Sequence, residues 1–322
     1  MSREAQKNAD GERWLGVNVY LWERLEQNRL LSQVLSPEVD RLYAESKVDI
    51  VFYDRFDSRG PHVFLSLRLV EPVEEEAQVR ASLRAAIEPF LDGKEKSNVY
   101  GEEELQKLHE QCRGKTLWHA DRRPGLAEDR TLLIDRHEGG GYPFNWWRDL
   151  QDAARDRVSE LVGESTRWAL ALVPPEKDAH MGAAVAWSAE FDRILRRRLS
   201  PAEAADYWRI HASTLIMGLG ERWQEEPEAV RASLPGRVAP KTAKAFADRF
   251  DAADSGDEES PWSPMGELIE TVLGGAPNRQ VAWRALREIN HVTWKQLGLY
   301  VRFHLPIVLF AWNRNLELAE QD

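Results

Sequence analysis

A single cysteine, Cys112, among 322 residues leaves no pair to oxidise, so a disulfide framework is excluded and a reducing compartment suits the chain. Long apolar runs are missing too. The longest lies within Leu305–Trp312, far short of the ~20 residues a membrane helix needs. Residues Met1–Gly11 are polar and lack the apolar core of a secretory signal. A cytoplasmic protein with no membrane contact is the expectation. Basic residues are outnumbered, with 43 Lys and Arg against 54 Asp and Glu, a net charge of −11 and a pI near 5.4. That balance excludes broad, salt-sensitive binding of nucleic acid and leaves room only for a local basic pocket. Generic motifs are absent as well. His137-Glu138-Gly139-Gly140-Gly141 lacks the second His of a zinc helix, and there is neither a phosphate loop nor a nucleophile elbow. No metal and no cofactor is implied.

Tryptophan, by contrast, is abundant, with 13 Trp against seven Tyr. Large indoles pack the cores of helical domains, and they also line cavities for peptides or flat rings. Trp14–Trp22 alternates with period two, placing Leu15, Val17, Val19 and Leu21 on one face and Trp14, Asn18, Tyr20 and Trp22 on the other. A helical stretch follows to about Ser46, with Ser36-Pro37 read as its cap and first turn. Val48–Phe56 and His62–Val70 read as strands joined by the turn formers Asp57-Ser58-Arg59-Gly60-Pro61. Glu74–Leu91 is an amphipathic helix, and Leu132-Leu133-Ile134 marks a further short strand. Strand, helix, hairpin and helix form a split βαβ unit. Gly139-Gly140-Gly141 breaks the pattern, as a connecting loop or a mobile lid. After Asn145 the chain turns helical, with Met181, Val185, Trp187, Ile194 and Leu195 at helical spacing. Ser200-Pro201-Ala202-Glu203 is a capping box, and Asp251–Ser260 reads as a solvated linker. Helices over Arg279–Arg302 and Pro306–Glu320 close the chain. The fold class is α+β, a small ferredoxin-like mixed sheet in residues 1–143 followed by a mainly helical half in 144–322.

Two groups of residues carry the chemistry. Arg193 with Arg196, Arg197 and Arg198 is either a solvated helix end that favours cations or a clamp for acidic peptide side chains. On the hairpin, His62, Ser66 and Arg68 share a strand face, while Tyr53 and Arg55 share a face of the preceding strand. A register that joined them beside the aromatic face of the first strand would build a wall of donors and flat rings; otherwise they decorate a solvent-facing sheet. The scattered His109, His119, His180, His211 and His291 read as surface or packed residues.

Val51-Phe52-Tyr53-Asp54-Arg55-Phe56, Gly60-Pro61-His62 and Leu65-Ser66-Leu67-Arg68-Leu69 resemble the signature of the thiopeptide-type bacteriocin biosynthesis domain, the elimination domain of lanthipeptide dehydratases. Ala311-Trp312-Asn313-Arg314 resembles the Asn-Arg that closes that domain, so the resemblance spans nearly the whole chain. Eliminating members remove glutamate from glutamylated Ser or Thr. Standalone relatives are pyridine synthases, which join two dehydroalanines in a formal four-plus-two cyclisation with loss of water and of the leader peptide. The chain departs from the eliminating pattern in two places. Val99-Tyr100-Gly101-Glu102-Glu103-Glu104 has no arginine motif after it, and Leu309 stands where eliminating members carry His.

Loss of the glutamate contact and of the proton-transfer group favours the pyridine synthase subgroup. The resemblance then implies Tyr53, His62, Arg68 and His304 as catalytic candidates and Arg55, Ser66, Arg196, Arg197, Asn313 and Arg314 as substrate-binding ones. Arg55, Asn313 and Arg314 have a second reading, as buried Arg and amide pairs that orient the fold. The implied partner is a leader-bearing, dehydrated precursor peptide, with a homodimer or contacts to other pathway enzymes left open. Two alternatives remain: a glutamate-eliminating partner of a split dehydratase, and a leader-binding protein without catalysis.

Overall fold

The structure is a computed structural model, and it describes residues 14–56, 59–70, 76–92, 101, 103–104, 106–107, 126–136, 147–173, 180–218, 227–232, 240–256, 264–299 and 304–321. The Gly139-Gly140-Gly141 break lies outside these, as do Val99, Tyr100 and Glu102 of the Val99–Glu104 segment. The chain forms two compact units, one of Met1–Arg148 with Arg155–Asp178 and one of Asp149–Ala154 with Ala179–Asp322.

The first unit is built on a four-stranded sheet in the order β2-β3-β1-β4, where β1 is Trp14–Tyr20, β2 Val48–Phe56, β3 His62–Leu69 and β4 Thr131–Arg136. β3 lies between β1 and β2, which is the split βαβ arrangement read from the sequence. Every neighbouring pair is antiparallel, so the sheet is antiparallel and not mixed. Leu15, Val17 and Val19 sit opposite Leu67, Leu65 and Val63, which makes one continuous aliphatic face. The β2–β3 turn needs left-handed backbone at Arg59 (φ 61°) and Gly60 (φ 111°), and a Cβ at Gly60 would stand 3.1 Å from Trp22 Nε1. The glycine of the Gly-Pro-His motif is thus set by sterics.

Helices α1 (Arg24–Arg29) and α2 (Ser36–Ala44) are joined by a π-helical run, Leu30–Leu35. Ser36-Pro37 therefore does not cap a new helix: Leu35 is already helical and no side chain caps it. Proline lacks an N–H and crowds the carbonyl one turn back, and a widened turn ahead of it relieves that conflict. α3 (Glu76–Leu91) buries Val79, Leu83 and Ile87. α4 (Asp152–Leu172) packs along the edge strand β2, where a Cβ on Gly163 would lie 3.1 Å from Ile50 Cγ2. Tyr43 donates to the Asp49 carbonyl at 3.0 Å, occupying a backbone acceptor on the same edge.

The second unit is helical: α5 (His180–Arg196), α6 (Pro201–Gly218), α7 (Pro227–Ala232), α8 (Pro240–Ser255), α9 (Met265–Gly275), α10 (Arg279–Gln296) and α11 (His304–Ala319). The capping box forms as read, with Glu203 N–H donating to Ser200 Oγ (3.3 Å) and Ser200 N–H to Glu203 Oε2 (3.0 Å). Asp251–Ser255 belongs to α8, so the acidic segment is helical there and not a linker. α6 and α11 pack against one another, and α5 lies against both. Gln151 N–H donates to the Gly275 carbonyl at 3.0 Å. No helix among the described residues is long and apolar enough to cross a membrane.

Candidate functional site

The hairpin residues do not form one wall. Tyr53 lies opposite Leu65 and Arg55 opposite Val63, on the aliphatic face, whereas His62 faces Phe56 and Ser66 faces Phe52 on the other side. Tyr53 is fully buried, and desolvation pushes its phenol above the ordinary range. Arg55 is also buried and donates to Asn28 Oδ1 at 2.7 Å, tying β2 to α1, which is the structural alternative stated for it. On the opposite face, His62 packs against Tyr20 (centroids 4.6 Å) and Phe56 (5.8 Å), and its Nδ1 meets the Gly60 carbonyl at 2.9 Å. Ser66 is buried on that side too. Arg68, near the strand's end, makes a two-pronged pair with Asp49 of β2, at 2.7 and 2.8 Å.

The arginine cluster is largely committed to carboxylates. Arg193 pairs with Glu190, Arg198 with Glu270, and Arg196 with Asp192 (3.1 Å) and Asp254 (2.5 Å). Arg197 is exposed. Asn313 accepts from Arg231 at 2.6 Å, and Arg314 pairs with Asp251 (2.8 Å) and Asp254 (2.7 Å). Arg196 and Arg314 therefore share Asp254, which staples α5, α8 and α11 together.

His304 has different company. It is fully buried at the start of α11, its ring 5.1 Å from that of His291 and 4.7 Å from Trp294, both on α10. Trp294 stacks in turn on His211 of α6 (5.3 Å, 13° between planes), and Trp208 stacks on His211 as well (5.9 Å, 5°). Three histidines from three helices thus meet inside one helical unit. Helical spacing put the pairs on common faces, Trp208 and His211 three residues apart and His291 and Trp294 likewise. That spacing was the available signal, and a reading of these histidines one by one missed it.

Polar contacts fix the surroundings. Trp187 Nε1 donates to Asn290 Oδ1 (2.7 Å), and Asn290 Nδ2 donates to the Tyr207 hydroxyl (2.8 Å). Trp294 Nε1 donates to Ser188 Oγ (2.9 Å), and Trp208 Nε1 to Asp192 Oδ1 (2.6 Å). His211 is different: neither ring nitrogen has a hydrogen-bond partner among the described residues, although the residue is buried. His304 Nε2 meets the Leu299 carbonyl at 3.4 Å, and its Nδ1 has no partner among the described residues.

Burial holds all three rings neutral. Desolvation drives His211 and His291 well below the usual imidazole range, helped by each other's neighbours and by Arg287. His304 falls to about 4, chiefly through desolvation, with the Leu299 carbonyl opposing and Lys295 assisting. His291 nonetheless keeps part of its surface open to solvent. Desolvation also raises the Tyr207 phenol, so it stays protonated. The result is a set of neutral imidazoles that accept or donate a proton, a phenol, flat indole faces and the cations Arg287 and Lys295. Such a set moves protons and holds planar groups. Among the described residues, no group of His, Cys, Asp or Glu is disposed to hold a metal ion.

No protein-family model matches the chain, and no curated protein matches it by sequence. Solved structures do match. A pyridine synthase, TbtD, from thiomuracin biosynthesis aligns with 96% of this chain and 100% of its own, at a TM-score of 0.65 and 14% identity. TsrL aligns over 95% of each chain, at a TM-score of 0.55 and 12% identity. At such identities the likeness is one of fold, and the fold, end to end, is the one that the resemblance in the sequence implies.

Proposed function

We propose that the chain is a peptide-tailoring enzyme that closes a pyridine ring from two dehydroalanines of a leader-bearing precursor peptide. The observation that carries this reading is the likeness of fold to the pyridine synthase TbtD, over 96% of this chain and 100% of that one. The neutral histidine cluster supports it, because the reaction moves protons between carbon-bound nitrogen and oxygen without needing a strong nucleophile.

In the proposed reaction one backbone amide shifts a proton from nitrogen to oxygen, and the resulting iminol exposes a two-aza-diene. The second dehydroalanine adds across it, forming two carbon–carbon bonds. Loss of the former amide oxygen as water, then of the leader as its carboxamide, makes the ring aromatic. Holding the two alkenes in register is the largest contribution. His304, His291 and His211 are the proposed proton carriers, on the ground that their rings gather around Trp294 in one cluster. In this reading Tyr53 and Arg55, enclosed on the aliphatic face, serve the fold. His62, Ser66 and Arg68 remain candidates for peptide contact, as does the exposed Arg197 for an acidic leader.

The test is incubation of the purified protein with a dehydrated, azole-bearing precursor and, separately, with a glutamylated one. Release of leader carboxamide from the first supports the proposal. Release of glutamate from the second transfers the assignment to a glutamate-eliminating enzyme.

A further inference from the structure

A buried histidine used in catalysis is ordinarily oriented by a hydrogen bond from one ring nitrogen to a carbonyl or carboxylate, which also sets the tautomer. His211 has no such bond among the described residues. Its faces are held instead, by Trp208 at 5.9 Å and 5° and by Trp294 at 5.3 Å and 13°, both within the range of favourable offset stacking. Each indole is anchored at Nε1, Trp208 to Asp192 Oδ1 (2.6 Å) and Trp294 to Ser188 Oγ (2.9 Å). Ser188 and Asp192 stand one helical turn apart on α5, so a single helix face anchors both indoles.

The anchors are themselves secured. Ser188 Oγ donates to the Ala184 carbonyl (2.7 Å), which turns its lone pairs toward Trp294. Asp192 is fully buried, and desolvation raises its carboxyl, but Arg196, Trp208 and Asn315 all donate to it, so the group that accepts is the carboxylate. A histidine with both nitrogens bare has no packing advantage over a phenylalanine at this position, because a desolvated, unbonded imidazole nitrogen costs about 1–3 kcal/mol. The arrangement makes sense as a device that keeps both nitrogens clear of hydrogen bonds to the described residues.

We propose that Ser188 and Asp192 are positioning residues: through Trp294 and Trp208 they fix the plane of the His211 ring and so the line along which its nitrogens exchange protons. The proposal rests on the assignment of His211 to the reacting site. The test uses the full-length protein with ¹⁵N-labelled histidine, comparing wild type, Ser188→Ala, Trp294→Phe and the double variant. Each single change should shift and broaden the His211 ring signals, and the double variant should match the single ones, since the serine acts only through the indole. In turnover, kcat should fall about tenfold in each with KM changed less than twofold, as for a misaimed group. Unchanged His211 signals in a folded Ser188→Ala protein, or additive effects in the double variant, overturn the proposal. Altered ring signals with undiminished kcat overturn it as well. A wild type that forms no pyridine overturns the functional reading instead, and the ring signals still decide the clamp.

Discussion

Acidification should unsettle the second unit through a group whose contribution can be isolated. The folded-state value of His304 is about 4, against an ordinary 6.5. Between those values the unfolded chain binds a proton that the folded chain refuses, so stability is intact above about pH 6.5 and falls as pH drops toward 4. At 1.36 kcal/mol per unit, the whole interval is worth ~3 kcal/mol, and about 2 kcal/mol of it is lost by pH 5. His211 and His291 act in the same direction, since both are held below the usual range. His304→Gln cannot titrate but keeps a donor for the Leu299 carbonyl. Urea unfolding of both proteins at pH 7, 6 and 5, followed by tryptophan fluorescence, measures the difference directly. The wild type should lose about 2 kcal/mol more than the variant between pH 7 and 5. Parallel curves would show that His304 titrates normally and would refute its desolvation.

Gly275→Ala should destabilise the protein by about 1–3 kcal/mol, because the new Cβ would stand 2.1 Å from the Ala154 Cβ; thermal unfolding checks this. Arg196→Ala should cost ~3 kcal/mol or more by leaving the buried Asp192 uncompensated, whereas Arg197→Ala, at an exposed position, should change stability by less than ~0.5 kcal/mol, as chemical denaturation of the pair will show. Arg68→Ala removes a partly exposed pair worth ~0–1 kcal/mol, so melting should barely move; if turnover is also unchanged, Arg68 leaves the list of peptide contacts.

What the sequence disclosed followed the range of each interaction. Period-two alternation located β1 and β3, an apolar and aromatic run ahead of turn formers located β2, and the Ser200–Glu203 capping box was legible because its partners are three residues apart. The faces were harder. Tyr53 and His62 look alike as polar residues of adjacent strands, but the left-handed Arg59 and Gly60 set a register that sends them to opposite sides. The arginine cluster misled for a related reason. Pairing of Arg193 with Glu190 and of Arg196 with Asp192 follows helical spacing, yet Asp254, the second partner of Arg196, and Glu270, the partner of Arg198, lie 58 and 72 residues away. The Ser36-Pro37 cap failed because proline marks a helix start only when no helix already runs into it, and here a π-helical turn does. The histidine cluster was half visible, as aromatic and imidazole residues on shared helical faces, while its assembly depended on how α6, α10 and α11 pack.

In the proposed reaction two dehydroalanines of one peptide become a single aromatic ring. The measurement that meets it head on is ¹³C NMR of the product from a precursor whose dehydroalanines carry ¹³C only at the β-carbon. Pyridine formation joins those two carbons directly, so both alkene methylene signals should vanish and reappear as mutually coupled aromatic carbons, with one equivalent of leader carboxamide released. Methylene signals that persist, or leader release without a ¹³C–¹³C coupling, would rule out pyridine formation by this protein.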